Sequence, residues 1–402
     1  MGNRLKKNLP VLRFPEFKGN WKQNNLKEVT KKIGSGATPT GGDSNYKKSG
    51  ISLFRSLNVY DGFFKIENLA FIDEDQAKKL DNVTVKKGDI LLNITGASIA
   101  RCCIAPVELL PARVNQHVMI IRPDSKNITT EFLSFVLICN TYKKELFQLG
   151  GKGGSTREAL TKKHIENFEL FSPPIAEQEK IASFLGAVDT RLSQLRRKHE
   201  LLQTYKRGVM QKIFSQQIRF KGDQGNSLPD WEQTTLGKCS IFFDSKRVPL
   251  SSEERQHRQG IYPYYGASGI IDTIDDYIFD GSYILLAEDG ANILSRSTPV
   301  AFIAEGKFWV NNHAHILKAK GSNKFLMEYL EHLKYDHYNT GTTQPKLNAE
   351  ICKKIKIKMP FLEEQEKIAN FLTAIDKKIE AITKQIELTE QFKKGLLQKM
   401  FV

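Results

Sequence analysis

The sequence predicts two α/β-mixed globular domains, repeated half-chains joined by two long helices that pair as an antiparallel coiled coil. Three observations carry this expectation. Two similar helical blocks lie one in each half of the chain, each carries a heptad seam, and the segment before each block has the same order of landmarks.

The first block, PPIAEQEKIASFLGAVDTRLSQLRRKHELLQTYKRGVMQKIF, begins at Pro173. The second, PFLEEQEKIANFLTAIDKKIEAITKQIELTEQFKKGLLQKMF, begins at Pro360 and aligns without a gap at an offset of 187. Glu177/Glu364, Gln178/Gln365, Asp189/Asp376, Gly208/Gly395 and Phe214/Phe401 are among the shared residues. Upstream, GSTREALTKKHIENFELFSP (154–173) matches GTTQPKLNAEICKKIKIKMP (341–360) at the same offset. Further back the landmarks pair as Asn115/Asn311, His117/His313, GDILLNITGAS (88–98) with GSYILLAEDGAN (281–292), and Trp21/Trp231.

Each block reads as a helix. Proline precedes its start, acidic residues crowd its first turns (Glu177, Glu179; Glu363, Glu364, Glu366), and basic residues close it (Lys206, Arg207, Lys212; Lys393, Lys394, Lys399), as the macrodipole favours. Ile368, Leu372, Ile375, Ile379, Ile382 and Ile386 form a seam of period 3.5, resumed at Leu396 and Met400. Its counterpart is Ile181, Leu185, Val188, Leu192, Leu195, Leu202, Val209 and Ile213. His199, Lys206, Thr389 and Lys393 interrupt the seams. Two like helices in one chain are natural partners; the alternative is that each packs on its own globular domain. At 1.5 Å per residue, about 40 residues span about 60 Å.

The chain therefore divides into residues 1–172, 173–215, 216–359 and 360–402. In the globular segments ISLFRSLNV, GDILLNITG, VNQHVMIIR, SYILLAED, TPVAFIAEG and WVNNHAHILK have strand character, while EFLSFVLICNTYKKELFQL and KFLMEYLEHLKYDHY have helical spacing. Loops fall at 34–50, 150–158 and 339–346.

Mean hydropathy of −0.39 and 40% hydrophobic residues indicate a soluble globular chain. The N-terminus has no apolar run of signal-peptide type, and no stretch is long enough to span a bilayer. Five cysteines, none at C-x-x-C spacing, imply reduced thiols and neither disulfides nor zinc. A net charge of +15 points to a polyanionic partner. The excess is uneven: residues 1–174 carry +10 and residues 216–361 only +1.

Sequence patterns for chemistry are missing. GGKGGST (150–156) lacks P-loop order, and no G-x-S-x-G or H-E-x-x-H occurs. Ser172-Pro173-Pro174-Ile175 imitates an amino-methyltransferase motif but has no aromatic ring to stack on a flipped base, and reads as helix entry. Glu177-x-Glu179-Lys180 imitates a nuclease tail and reads as helix-start charge. The Asn-x-His pair reads as structural.

Loops rich in Gly, Ser, Thr, Lys, Arg and Gln suit contact with phosphate and base edges. The candidates for DNA contact are Thr38, Thr40, Arg55, Asn58, Ser98, Arg101, Lys152, Ser155, Thr156 and Arg157 in the first half. In the second they are Lys246, Arg247, Tyr264, Tyr265, Ser268, Asn292, Arg296, Thr342, Thr343, Gln344 and Lys346.

Two half-chains, each ending in P-x-x-x-EQEKIA-x-FL-x-A-x-D and a helix closing in K-x-G-x-x-QK-x-F, resemble the specificity subunit of type I restriction–modification systems. The resemblance spans essentially the whole chain, including LPVLRFPEFKGNW, SGATPTGGDSNYKKSGI and IYPYYGASGIIDTIDDYIFDGSYILLAEDG. It implies a non-catalytic, cytoplasmic subunit whose two target-recognition domains each read half of a split, asymmetric DNA site. It also implies that the coiled coil sets the gap and docks two DNA adenine methyltransferase subunits, with restriction (translocase–nuclease) subunits completing the complex. S-adenosylmethionine, ATP and Mg would then sit on those partners, with no cofactor or metal on this chain. A scaffold that no longer reads DNA, and a self-sufficient methyltransferase or nuclease, are the alternatives.

Overall fold

The computed structural model describes residues 9–42, 46–151 and 159–402. By packing, the chain forms two compact units, Met1–Leu195 with Gln385–Val402, and Arg196–Lys384. These units cut across the four segments read from the sequence, because each long helix contributes residues to both.

In the first unit a four-stranded sheet runs in the order Thr30–Ser35, Val118–Pro123, Ile90–Asn93, Cys102–Ile104, with all neighbours antiparallel. A second sheet runs Ala70–Ile72, Ile51–Phe54, Ala112–Val114, Thr84–Val85. Its central pair is parallel, with Val114 opposite Phe54. Ile90, Leu91 and Leu92 are wholly buried. Ile90 and Leu92 join one core with the helices, and Leu91 joins another with the second sheet. An apolar run covered on both faces has no reason to alternate with polar residues.

The second unit repeats this plan in one continuous sheet. Ser240–Phe242, Ala314–Ala319, Phe279–Ala287 and Ala301–Val310 take the same order, and Gln259–Gly266 and Gly269–Ile274 extend it. Again one pair is parallel, Val310 opposite Tyr265. Ile284 and Leu286 face the helical core, and Leu285 the opposite one.

The sequence pattern EFLSFVLICNTYKKELFQL suggests one helix, but the structure has two, Thr130–Ile138 and Asn140–Gly151. Cys139 takes an extended conformation (φ −67°, ψ 148°), which ends the first. Likewise, helix Asn323–His332 stops at an extended Leu333. Four of the five thiols are buried and all are free; burial pushes Cys103 up to about 12 and Cys139 up to about 11, so neither is a ready nucleophile.

The long helices run Ile175–Phe214 and Leu362–Lys399. Glu177 and Glu364 stand in the first turns as the sequence predicts, but both are fully buried. Glu177 accepts from Arg13 Nε and Nη2, both at 2.7 Å, and from Trp21 Nε1 at 3.2 Å. Glu364 accepts from Arg219 Nε and Nη2 at 3.2 and 2.8 Å and from Trp231 Nε1 at 3.0 Å. The adjacent glutamines repeat as well. Gln178 Nε2 donates to Pro173 O while its Oε1 accepts from Thr129 N. Gln365 does the same with Pro360 O and Ser322 N. Thr129 and Ser322 are the N-caps of the next helices packed on each core. Glu179 and Glu366 remain exposed, as helix-start charges should.

Within each unit one long helix meets the opposite end of the other. In the first, Ile181 and Leu185 share a core with Leu396 and Met400. In the second, Met210 and Ile213 share one with Ile368 and Leu372. The pairing is thus antiparallel, and each helix also packs on globular cores. The lysines that interrupt the seams are paired across it: Lys393 with Asp189 at 2.5 Å, and its repeat equivalent Lys206 with Asp376 at 2.8 Å. Lys206 also meets the buried Glu328 at 3.0 Å.

Replacing Glu177 with alanine leaves the Arg13 and Trp21 donors without their acceptor. Breaking one side of a buried ion pair costs about 3–5 kcal/mol, and a loss of that size is expected in urea unfolding. A loss under about 1 kcal/mol would show that the clamp is dispensable.

Candidate nucleic-acid interface

The strands of each unit end at one edge, and the connections leaving that edge hold most of the candidate residues. In the first unit, Ala37 N bonds Val114 O and Asn115 N bonds Phe54 O. This draws the 36–42 loop, the residues after Phe54 and the Asn115–His117 turn together. Thr95 Oγ1 lies 2.7 Å from His117 Nδ1, and Thr95 bridges to Ala159. The repeated asparagine is structural: Asn115 Oδ1 accepts from His117 N at 3.2 Å, and Asn311 Oδ1 from His313 N at 2.8 Å.

At this edge Thr38 and Thr40 are exposed, and Ser98 is half-buried in a short turn, Gly96–Ser98. The Arg101 guanidinium lies 4.9 Å over the Tyr60 ring, which itself stacks on exposed Phe63. Arg55 lies over Tyr46 and donates to Asn68 O at 2.6 Å. Asn58 was expected at the interface but is fully buried; its amide donates to Lys65 O and accepts from Arg55 N, closing a turn. Lys152, Ser155, Thr156 and Arg157 lie outside the described residues.

The corresponding edge of the second unit is more tightly knit. Arg247 Nη1 bonds Glu288 at 2.6 Å and Ala314 O at 2.9 Å, so its donors are taken up inside the fold. His315 is buried, with Nδ1 2.6 Å from Asp244 Oδ2 and Nε2 2.8 Å from Leu347 O. Burial opposes its charge, but the Asp244 carboxylate and the neighbouring Cys352 together outweigh that and raise its pKa from 6.5 to about 10, in keeping with acceptors at both nitrogens. Leu347 N in turn bonds Glu288 O. His313 Nδ1 faces Asp289 at 2.9 Å.

Other expectations in this unit change with the packing. Tyr264 is fully buried, with its hydroxyl bonded by Leu250 N, and cannot reach a base. Tyr265 packs against Phe302 and Phe308. Asn292 closes its own loop through Thr298 and Pro299 carbonyls, and Arg296 pairs with Glu331 at 2.9 Å. Lys246, Ser268, Thr342, Thr343, Gln344 and Lys346 are exposed. The network beneath them (Asp244, Glu288, Asp289, His315) escaped the sequence reading. The only signal for it was carboxylates recurring near His313 and His315, which carries no spacing rule.

The sequence profile of the type I restriction modification DNA specificity domain matches residues 18–203 and 229–390. The chain belongs to this family. Two curated relatives from Methanocaldococcus jannaschii agree in layout. The putative type I restriction enzyme MjaX specificity subunit is 24% identical over 399 residues, 95% of this chain and 93% of the relative. The type I restriction enzyme MjaVIII specificity subunit is 24% identical over 383 residues, 87% of each. The crystal structure of a type I restriction–modification S subunit from M. genitalium matches with a TM-score of 0.63 at 18% identity, covering 98% of this chain and 99% of that one. The specificity-family fold therefore extends through both repeats. No helix among the described residues is long and apolar enough to cross a membrane.

The His315 cation has a pH signature. Its pKa is raised on folding, so its stabilisation is complete below pH 6.5 and is lost as pH rises through about 10. The thermal midpoint of wild type should fall across that interval more steeply than that of His315→Gln. Parallel curves would mean that the imidazolium contributes nothing.

Proposed function

We propose that this chain is the DNA-reading subunit of a type I methyltransferase/restriction complex, with each unit's loop edge reading one half of a split, asymmetric site. The observation that carries the reading is one frame presenting two unlike loop sets. The Trp–Glu–Arg clamp and sheet order repeat, while residues at the loop edge differ between halves. A frame kept for assembly and edges diversified for readout is what two different half-sites require.

In this reading the paired helices set the unread gap and dock two DNA adenine methyltransferase subunits. Restriction subunits complete the complex. S-adenosylmethionine, ATP and Mg act on those partners, this chain contributes recognition without chemistry, and the assembly works on DNA in the cytoplasm. Lys152, Ser155, Thr156 and Arg157 remain proposed contacts of the first half, alongside Thr38, Thr40, Ser98 and Arg101. The near-neutral charge of residues 216–361 favours one competing reading, a scaffold whose recognition domains no longer bind DNA.

Co-expression with its methyltransferase subunit, followed by single-molecule methylation mapping, tests the proposal. Adenine methylation at one split motif, lost when this chain is omitted, is the expected result. An assembled complex with no chain-dependent motif would leave the scaffold reading. Arg157→Ala is expected to relax the motif in one half only; an equal loss on every sequence would make Arg157 a phosphate contact.

A further inference from the structure

The loop Asn339–Lys346 is closed by hydrogen bonds from its own side chains. Asn339 Oδ1 accepts from Gly341 N at 3.0 Å and from Lys346 N at 2.9 Å, so one amide oxygen ties the two ends together. Lys346 O accepts from both Thr340 N at 2.8 Å and Thr340 Oγ1 at 3.1 Å. At Gly341 an added Cβ would lie 1.7 Å from Gln344 O, so no other residue fits that turn. The foot is equally fixed. Gly290 N donates to Pro345 O at 3.0 Å, and wholly buried Leu347 donates its N–H to Glu288 O at 2.7 Å while its carbonyl accepts from His315 Nε2 at 2.8 Å.

The tip contrasts with this foot. Thr342, Thr343 and Gln344 are exposed, and their side chains make no hydrogen bond among the described residues. Elsewhere at the same edge the polar side chains of Asn292, Arg247 and Arg296 are engaged within the fold. A rigid loop with unpartnered hydroxyl and amide groups at its tip loses little entropy on binding. A glutamine amide has the donor–acceptor pair that matches the N6/N7 edge of adenine.

We infer that Asn339 is the positioning residue of a preformed base-reading loop, and that Gln344 at its tip reads an adenine edge in the second half-site. This rests on the DNA-reading function proposed above. The positioning role depends on the Asn339 oxygen alone, since its Nδ2 bond to Gly341 O is long at 3.4 Å. Asn339→Asp keeps that acceptor; Asn339→Ala removes it.

The test is selection from a pool of duplexes with a randomised core, using the full chain assembled with its methyltransferase subunits. Wild type is expected to enrich a split motif. Asn339→Ala should lose sequence preference in one half only, with the cognate-to-scrambled affinity ratio for that half falling roughly tenfold or more. Asn339→Asp should retain the ratio even where its added charge lowers affinity for all sequences. Gln344→Ala touches no bond in the fold and should erase preference at one adenine position. Unchanged half-site preference in both Asn339→Ala and Gln344→Ala would overturn the inference while leaving the DNA-reading function intact. Wild type enriching no motif would remove that function and the inference with it.

Discussion

Each long helix begins with a carboxylate that has no access to water. Moving an ionised carboxylate out of water costs several kcal/mol unless hydrogen bonds replace its hydration. Here a forked guanidinium and an indole N–H supply three donors each to Glu177 and Glu364. The requirement that all three arrive together binds distant parts of the chain. Arg13 and Arg219 come from the segments that precede the strands Lys22–Asn25 and Glu232–Thr235, and Trp21 and Trp231 from the entry to those strands. Phe14 follows onto Phe184, and Phe220 onto Phe371, so the aromatic packing repeats with the ion pair. The neighbouring glutamines extend the constraint to the N-cap of a further helix.

The seams obey a related rule. A lysine at a seam position is costly unless an acid faces it, and such an exception selects register over uniform apolar packing. Lys206 and Lys393 break their own helix's apolar pattern and meet Asp376 and Asp189, residues that are repeat equivalents of one another. An ungapped repeat in sequence thus becomes a matched pair of ion pairs in space. The second unit adds Glu328, buried beside Lys206, where the first has Phe135, whose ring centroid lies 5.8 Å from Lys393 Nζ.

The loop edges diverge where the frame does not. In the second unit a buried imidazolium and its carboxylate support the loop from below. In the first unit an arginine–tyrosine–phenylalanine stack and exposed threonines occupy the equivalent edge.

The repeat, the two helices, their antiparallel pairing and the strands Ile51–Phe54, Ile90–Asn93, Val118–Pro123, Phe279–Ala287, Ala301–Val310 and Ala314–Ala319 were legible in the sequence. Periodicity is a local property, and the duplicated EQEKIA block needs no folding to be seen. The break at Cys139 was not legible, because its apolar neighbours suit a helix on either side. Glu177 reads as a dipole charge from its place in the helix; only the tertiary structure brings Arg13 and Trp21 to it across more than a hundred residues. Tyr264 and Asn58 carry the right groups for a nucleic-acid surface, yet burial removes both. Spacing along a chain specifies which face a side chain shares, whereas burial depends on what other elements pack there. The sequence by itself therefore determined the architecture and the family, and the fold alone decided which polar side chains remain available to a partner.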